Sequence, residues 1–242
     1  MPDLVIALFG RAPSDPDTKT RLRHGLPASR GAGLPACLLR DTAAVAAQVA
    51  AADLAVVCTP GSEPALAEMH ACVPGARHVL GQRGADLGER MHHAFVDLFA
   101  RGYRRVVLIG TDLPTLPSVH LAQAAGALTG GERPRVVLGP AEDGGYYLIG
   151  LAGPEPRLFG GIAWSTPRVL EQTVGAALRI GLEVVRLPFW YDVDTPEDLA
   201  RLRAESPGLP GDVAPFTRGW LAESPPAASP SRPPGRGRRS RH

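Results

Sequence analysis

Six short apolar runs alternate along this chain with stretches of helical periodicity, and that alternation limits the fold more than any other feature. The runs fall at residues 4–9 (L-V-I-A-L-F), 54–58, 106–109, 136–138, 145–151 and 184–187, and four of them are closed at once by Gly10, Gly110, Gly139 or Pro188. A continuous run of this length bounded by a turn residue suits a strand buried on both faces. Between the runs, residues 34–51 place Leu38, Val45 and Val49 at helical spacings, and residues 87–100 do the same with Met91, Phe95, Leu98 and Phe99. Residues 167–180 and 196–203 complete the helical set. Strands that alternate with helices predict a doubly wound, mostly parallel sheet covered on both sides. The strand at 145–151 follows closely on the one at 136–138. The expected class is therefore a three-layer α/β/α sandwich with a mixed, mostly parallel sheet.

Charge divides the chain in two. The formal net charge is +2, but residues 224–242 hold five arginines and no acid, which leaves −3 on the rest. A mildly acidic body argues against a nucleic-acid surface on the folded domain. From residue 206 onward Pro, Gly, Ser and Arg dominate, so a folded domain at 1–205 and a disordered basic tail at 206–242 are expected. Cys37, Cys58 and Cys72 form no C-x-x-C and leave an odd count, which fits a reducing cytoplasm better than a disulfide framework or a zinc site. No stretch approaches membrane-spanning length, and the first residues lack a basic leader.

Open α/β sheets bind ligands outside the carboxyl ends of their strands. After the first strand comes G-R-A-P-S-D-P-D-T-K-T-R-L, with Arg11, Lys19 and Arg21; Lys19 is the only lysine among 26 Lys and Arg residues. After 106–109 comes G-T-D-L-P with Asp112, after 136–138 comes G-P-A-E-D-G-G with Asp143, and after 184–187 comes P-F-W-Y-D-V-D-T-P-E-D with Asp192 and Asp194. Cations at one strand end and carboxylates at others describe a site for a diphosphate and a divalent metal, since Mg²⁺ takes one or two carboxylates and completes its shell with phosphate and water. Thr195, Pro196 and Asp198 read as the cap of the last helix, and Asp86 with Glu89 has capping-box spacing. Residues 164–167 (W-S-T-P) also read as a cap and helix start. Adjacent His92 and His93 cannot share a helix face as paired ligands. The absence of G-x-S-x-G, of a Walker A sequence and of G-x-G-x-x-G removes the main support for a serine hydrolase, a P-loop NTPase or a dehydrogenase.

F-G-R-A-P followed by T-K-T-R-L, Q-R-G-A-D-L-G-E-R-M, L-I-G-T-D-L-P-T-L, L-G-P-A-E-D-G-G-Y-Y-L-I-G-L, W-S-T-P-R-V-L and W-Y-D-V-D-T-P-E-D-L occur in that order between residues 4 and 203. Together they resemble the bacterial nucleotide-diphospho-sugar transferase-like family, which has the glycosyltransferase-A fold and is related to nucleotidylyltransferases. The resemblance implies that Lys19, Arg21 and Arg11 meet donor phosphates, and that Asp112 with Asp194 or Asp192 holds Mg²⁺ (or Mn²⁺). It also places Gly84 and Asp86 beside the nucleotide, Asp143, Gly144 and Gly145 on the acceptor side, and Trp164 in a substrate wall. Lys19 and Asp112 are the implied catalytic residues. The implied activity is metal-dependent transfer from a nucleotide or nucleotide-sugar donor to a small-molecule acceptor, foremost glycosyl transfer. Nucleotidylyl transfer to a small phosphorylated acceptor is the alternative, and a non-catalytic nucleotide-binding protein a third. Two departures stand out. A single acid, Asp112 after Thr111, replaces the paired D-x-D of sugar transferases, and S-D-P-D replaces the usual glycine before T-K-T-R-L, so that its two acids would repel phosphate if they pointed inward.

Overall fold

The computed structural model describes residues 2–23, 33–130 and 133–223. Seven strands, β1 (Leu4–Arg11), β2 (Ala52–Thr59), β3 (His78–Gly81), β4 (Arg105–Ile109), β5 (Arg135–Pro140), β6 (Tyr146–Leu151) and β7 (Glu183–Arg186), form one sheet in the order β3-β2-β1-β4-β6-β5-β7. β6 runs antiparallel to β4 and β5, and every other pairing is parallel, so the sheet is mixed and mostly parallel as expected. Between β5 and β6 there is room for a turn but not for a crossover helix, and a turn can join only antiparallel neighbours.

Helices cover both faces: α1 (Thr20–Arg23), α2 (Leu34–Ala47), α3 (Glu63–Cys72), α4 (Leu87–Phe99), α5 (Ser118–Ala127), α6 (Val169–Arg179), α7 (Pro196–Glu205) and α8 (Pro215–Ala222). Side chains alternate across a strand, and β1 shows the consequence. Leu4, Ile6 and Leu8 join one core with Leu39 of α2, Met69 of α3 and Leu121 of α5, whereas Val5 and Ala7 join another with Phe95 of α4 and Ala177 of α6. Truncating a fully buried ring such as Phe95 costs about 3–5 kcal/mol. Among the described residues no helix is long and apolar enough to cross a membrane.

Local signals set the helix starts. Asp86 caps α4 by accepting from Glu89 N at 2.8 Å, and Thr195 with Asp198 forms a capping box on α7. The W-S-T-P stretch behaves otherwise. Thr166 Oγ1 donates to Ala163 O at 2.7 Å, which makes a turn, and the helix begins later, at Val169, with no side-chain cap.

The larger correction concerns residue 206, where the chain does not lose structure. A 3₁₀ turn (Ser206–Gly208) leads to α8, which packs on α2. Asp41, 1% exposed, accepts from Phe216 N at 3.1 Å and Thr217 N at 2.7 Å, two otherwise unpaired donors at a helix start. Leu221 is buried with Leu34, Leu38, Leu199 and Leu202 in a third cluster. Composition concealed this helix because it is held by few contacts, the buried Leu221, the partly buried Trp220 and the Asp41 cap. Residues 224–242 of the expected tail lie outside the described residues.

Candidate active site

From β1 the chain builds β2 and β3 on one side, then crosses to β4 on the other, so the strand order reverses between β1 and β4. The crevice beyond the carboxyl ends at such a reversal is where open α/β sheets place ligands. Two hollows meet there. One, of about 590 Å³, takes Arg11, Lys19 and Arg21 from the loop after β1, and the other, of about 510 Å³, takes Leu87, Met91, Tyr146 and Trp164. Phe9, Arg21, Gly110, Asp112, Ser165 and Asp194 border both.

Lys19 stands at the junction. The loop after β1 folds back, with Thr18 Oγ1 donating to Ala12 O at 2.7 Å, and Lys19 itself takes a left-handed backbone (φ 52°). For a residue other than glycine that conformation is uncommon and points to a constraint. The ammonium donates to the Asp112 carboxylate and to Asp194 Oδ1 at 3.0 Å, and its side chain is 9% exposed. Burial by itself would lower the Lys19 pKa. The charges of Asp112 and Asp194 outweigh it and push the value up to about 12, so the group stays an ammonium. Arg21 Nη1 lies 3.3 Å from Asp194 Oδ2, with most of its side chain in solvent. Arg11 pairs with Asp15 at 3.2 Å and Asp17 at 3.8 Å. The two acids of S-D-P-D thus pair with Arg11, and Asp17 also lines this first lobe.

The carboxylates sit on tied-down turns. Leu113 N donates to Thr42 Oγ1 at 2.9 Å and Gly110 N to Tyr147 O at 3.2 Å, which hold the turn around Asp112. Val193 N donates to Asp112 O at 3.0 Å, which binds this turn to the one after β7. Asp194 N donates to Asp198 Oδ2 at 3.1 Å, so the cap of α7 also fixes the acid before it. Asp192 lines the second lobe. Its burial, then the charge of Asp112, push its pKa up to about 7, with Lys19 pulling the other way, and it can take up or release a proton near neutrality.

The remaining expected residues divide. Asp143 lines the second lobe, and its Oδ1 accepts from Gly145 N at 2.8 Å. Gly144 has φ 86°, and a Cβ there would lie 2.2 Å from Pro167 O, so this glycine is needed for packing against the start of α6. Trp164 packs its indole onto Gly88 in the first turn of α4 and forms part of the wall. Gly84 and Asp86 line neither lobe; they build the start of α4. Sequence reasoning missed Gln82, whose Nε2 donates to Gly10 O at 3.0 Å and Val57 O at 3.1 Å and so fastens the ends of β1 and β2. It also missed Thr42 and the walls Phe9, Leu87, Met91 and Tyr146. Apolar strand and helix residues carry no signal that separates a cleft wall from core.

Among the described residues no set of three His, Cys, Asp or Glu side chains forms a ready metal cage. The donor set nevertheless suits Mg²⁺ or Mn²⁺. Two carboxylates from separate turns already grip one cation, the Lys19 ammonium, and a hard divalent ion needs only one or two carboxylates when phosphates supply the rest.

The family model described as "Uncharacterized protein conserved in bacteria (DUF2064)" matches residues 42–166. Among solved structures, a candidate nucleotide-diphospho-sugar transferase from Desulfovibrio desulfuricans G20 is 34% identical, with 92% of this chain and 95% of that chain covered and a TM-score of 0.82. CMP:2-keto-3-deoxy-manno-octonic acid synthetase, solved with CTP, is 13% identical, with 85% and 98% covered and a TM-score of 0.58. 4-Diphosphocytidyl-2C-methyl-D-erythritol synthase is 14% identical, with 82% and 97% covered and a TM-score of 0.55. These last two speak for the fold alone. No curated protein matches the chain.

Proposed function

This chain belongs to the bacterial DUF2064 family, and we propose that it is a nucleotide-using transferase that moves a glycosyl group from a nucleotide-diphosphate donor to an acceptor hydroxyl. One observation carries the reading: a buried ammonium, Lys19, held between Asp112 and Asp194 where the lobe that takes Arg11 and Arg21 meets the one walled by Phe9, Met91, Tyr146 and Trp164. The likeness to a candidate nucleotide-diphospho-sugar transferase at 34% identity supports it.

In this reading Lys19 and Arg21 bind the donor diphosphate and neutralise the charge that grows on it as it leaves. Asp112 and Asp194, or Asp192 two residues before it, would hold Mg²⁺ or Mn²⁺. When bound, the ion supplies further charge stabilisation for the leaving diphosphate. The acceptor lies in the second lobe beside Asp143, Gly145 and Trp164. The acceptor oxygen bonds to the anomeric carbon, the bond from that carbon to the phosphate oxygen breaks, and the hydroxyl proton passes to a base or to water. The products are the glycosylated acceptor and a nucleoside diphosphate.

Nucleotidylyl transfer is the second reading, favoured by the lone Asp112 after Thr111 and by the second carboxylate, Asp194, arising from the turn after β7. There an acceptor phosphate attacks the α-phosphorus of an NTP and pyrophosphate leaves. Product analysis separates the two. With Mg²⁺ and panels of nucleotide-sugars and NTPs, release of nucleoside diphosphate supports glycosyl transfer and release of pyrophosphate supports the alternative. A bound nucleotide should stabilise the fold by about 2.7 kcal/mol at a hundredfold excess over Kd. If no nucleotide or nucleotide-sugar raises the melting temperature, the transferase reading fails.

A further inference from the structure

The second lobe has a chemistry that the reaction class alone does not specify. Phe9 of β1, Leu87 and Met91 of α4, Tyr146 of β6 and Trp164 before α6 give it walls, and its volume of about 510 Å³ is that of a small-molecule pocket. Among the described residues neither lysine nor histidine lines it, and the arginine that does, Arg21, stands at the junction, 3.3 Å from Asp194. Every other charged lining group is a carboxylate: Asp112 and Asp194 at the junction, where Lys19 answers them, and Asp143 and Asp192 beyond it.

We infer that this lobe takes an acceptor that is uncharged or cationic and bears an aromatic or alkyl group beside its hydroxyl, and that it rejects phosphorylated and carboxylated acceptors. The inference rests on the transferase reading and deepens it. Sites for phosphate or carboxylate are built from charge-assisted donors, above all arginine forks. An anion entering here would meet Asp143 instead, and would meet Asp192 as well in its ionised form. A divalent ion between Asp112 and Asp194 does not reverse this, because the donor's own diphosphate matches its charge. A like-charge pair at roughly 8 Å, with an effective dielectric near 20 and partial screening, weakens binding about tenfold or more. The aromatic walls suit the opposite ligand, since an offset or edge-on ring against Trp164 or Tyr146 adds affinity beyond area burial. The same argument counts against the nucleotidylyl alternative, whose phosphorylated acceptor would need more cationic partners than Arg21, the one that the described residues present here.

The test uses the full chain and four probes that share a phenyl ring: 2-phenylethanol, 2-phenylethylamine, phenyl phosphate and phenylacetate. Binding is followed by ligand-observed NMR and by tryptophan fluorescence in wild type, Trp164→Phe, Asp143→Asn and Asp192→Asn. The alcohol and the amine are expected to bind about tenfold or more tightly than either anion. The fluorescence response should vanish in Trp164→Phe, and either Asp→Asn change should improve phenyl phosphate binding and narrow the gap. Phenyl phosphate binding as tightly as the alcohol, a response unchanged in Trp164→Phe, or no saturable binding by any probe would each overturn the inference. Nucleotides with Mg²⁺, titrated into the same samples, keep the two claims apart. Nucleotide binding combined with a preference for anions defeats this inference alone. The aromatic preference without nucleotide binding defeats the transferase reading and leaves a site for amphiphilic alcohols or amines.

Discussion

At the scale of single residues, the position of Lys19 explains why one ammonium survives in a chain whose other 25 basic residues are arginine. A compact, rotatable donor fits between two carboxylates that approach from different turns, whereas a planar guanidinium needs a fork-shaped partner. Removing it leaves Asp112 and Asp194 facing each other. Lys19→Ala should therefore lose about 2–3 kcal/mol of stability without metal, less than a fully buried pair would cost because Asp194 is 36% exposed. Mg²⁺ should then raise the melting temperature of Lys19→Ala more than that of wild type, since the ion no longer competes with the ammonium. Turnover should still fall, with kcat/KM about 10- to 100-fold lower, the value of one charge-assisted hydrogen bond. Equal Mg²⁺ shifts in the two proteins would mean that the ion binds elsewhere. Lys19, Arg21, Asp112, Asp192 and Asp194 were legible because each lies on the segment that leaves the carboxyl end of a strand, where open α/β sheets place their ligands. Thr42 was not, because its bond to Leu113 N joins residues 71 apart, and nothing local marks a threonine on α2 as the support of an acidic turn.

At the scale of elements, the apolar runs and the four helices with clear periodicity or caps were readable, whereas β3, α3, α5 and α8 were not. β3 is four half-buried residues, H-V-L-G, with no apolar run to announce it. α8 is eight residues, too short to be stable alone, and depends on tertiary packing. Its anchor comes from α2. Asp41 is buried, and burial pushes its carboxyl pKa up while the donors of Thr217 and Phe216 pull it back. Asp41→Ala strands both N–H groups and should cost about 1–3 kcal/mol. A chain ended after Glu223 keeps Leu221 in its cluster with Leu34, Leu38 and Leu202, whereas one ended after Glu205 exposes that cluster. Urea titration should show the first truncation matching the full chain and the second losing more stability than Asp41→Ala. If the Glu205 truncation were as stable as the full chain, α8 would contribute nothing to the domain.

For the whole molecule, what no local pattern conveys is the strand order, since the reversal between β1 and β4 that creates the two lobes arises from the crossovers. Stability against pH is a property at the same scale. His78, His92 and His120 all have pKa values held below the ordinary 6.5, each chiefly by burial. In the unfolded chain their imidazoles take up protons as pH falls through about 6.5, while in the fold they resist until lower pH. The unfolded state then binds more protons, so these three contribute stability that is complete above about pH 7 and is lost as the solution is acidified. Asp192 acts in the opposite sense. With its folded pKa near 7, the native state holds the extra proton between about pH 4 and 7, and its contribution declines as pH rises through that window. A single melting curve mixes the two, and a variant separates them. His120 is buried against Tyr147, whose hydroxyl lies 3.1 Å from its Nδ1, and Trp190. His120→Gln leaves a polar partner for that hydroxyl and removes the titration. Above pH 7 the variant should be less stable than wild type by a constant amount, and the difference should shrink steadily below pH 6.5 as wild type loses the contribution of its neutral imidazole. Denaturant midpoints at half-unit steps from pH 5 to 8 would decide it: parallel profiles would mean that His120 titrates alike in both states and that the acid sensitivity lies with His78 and His92.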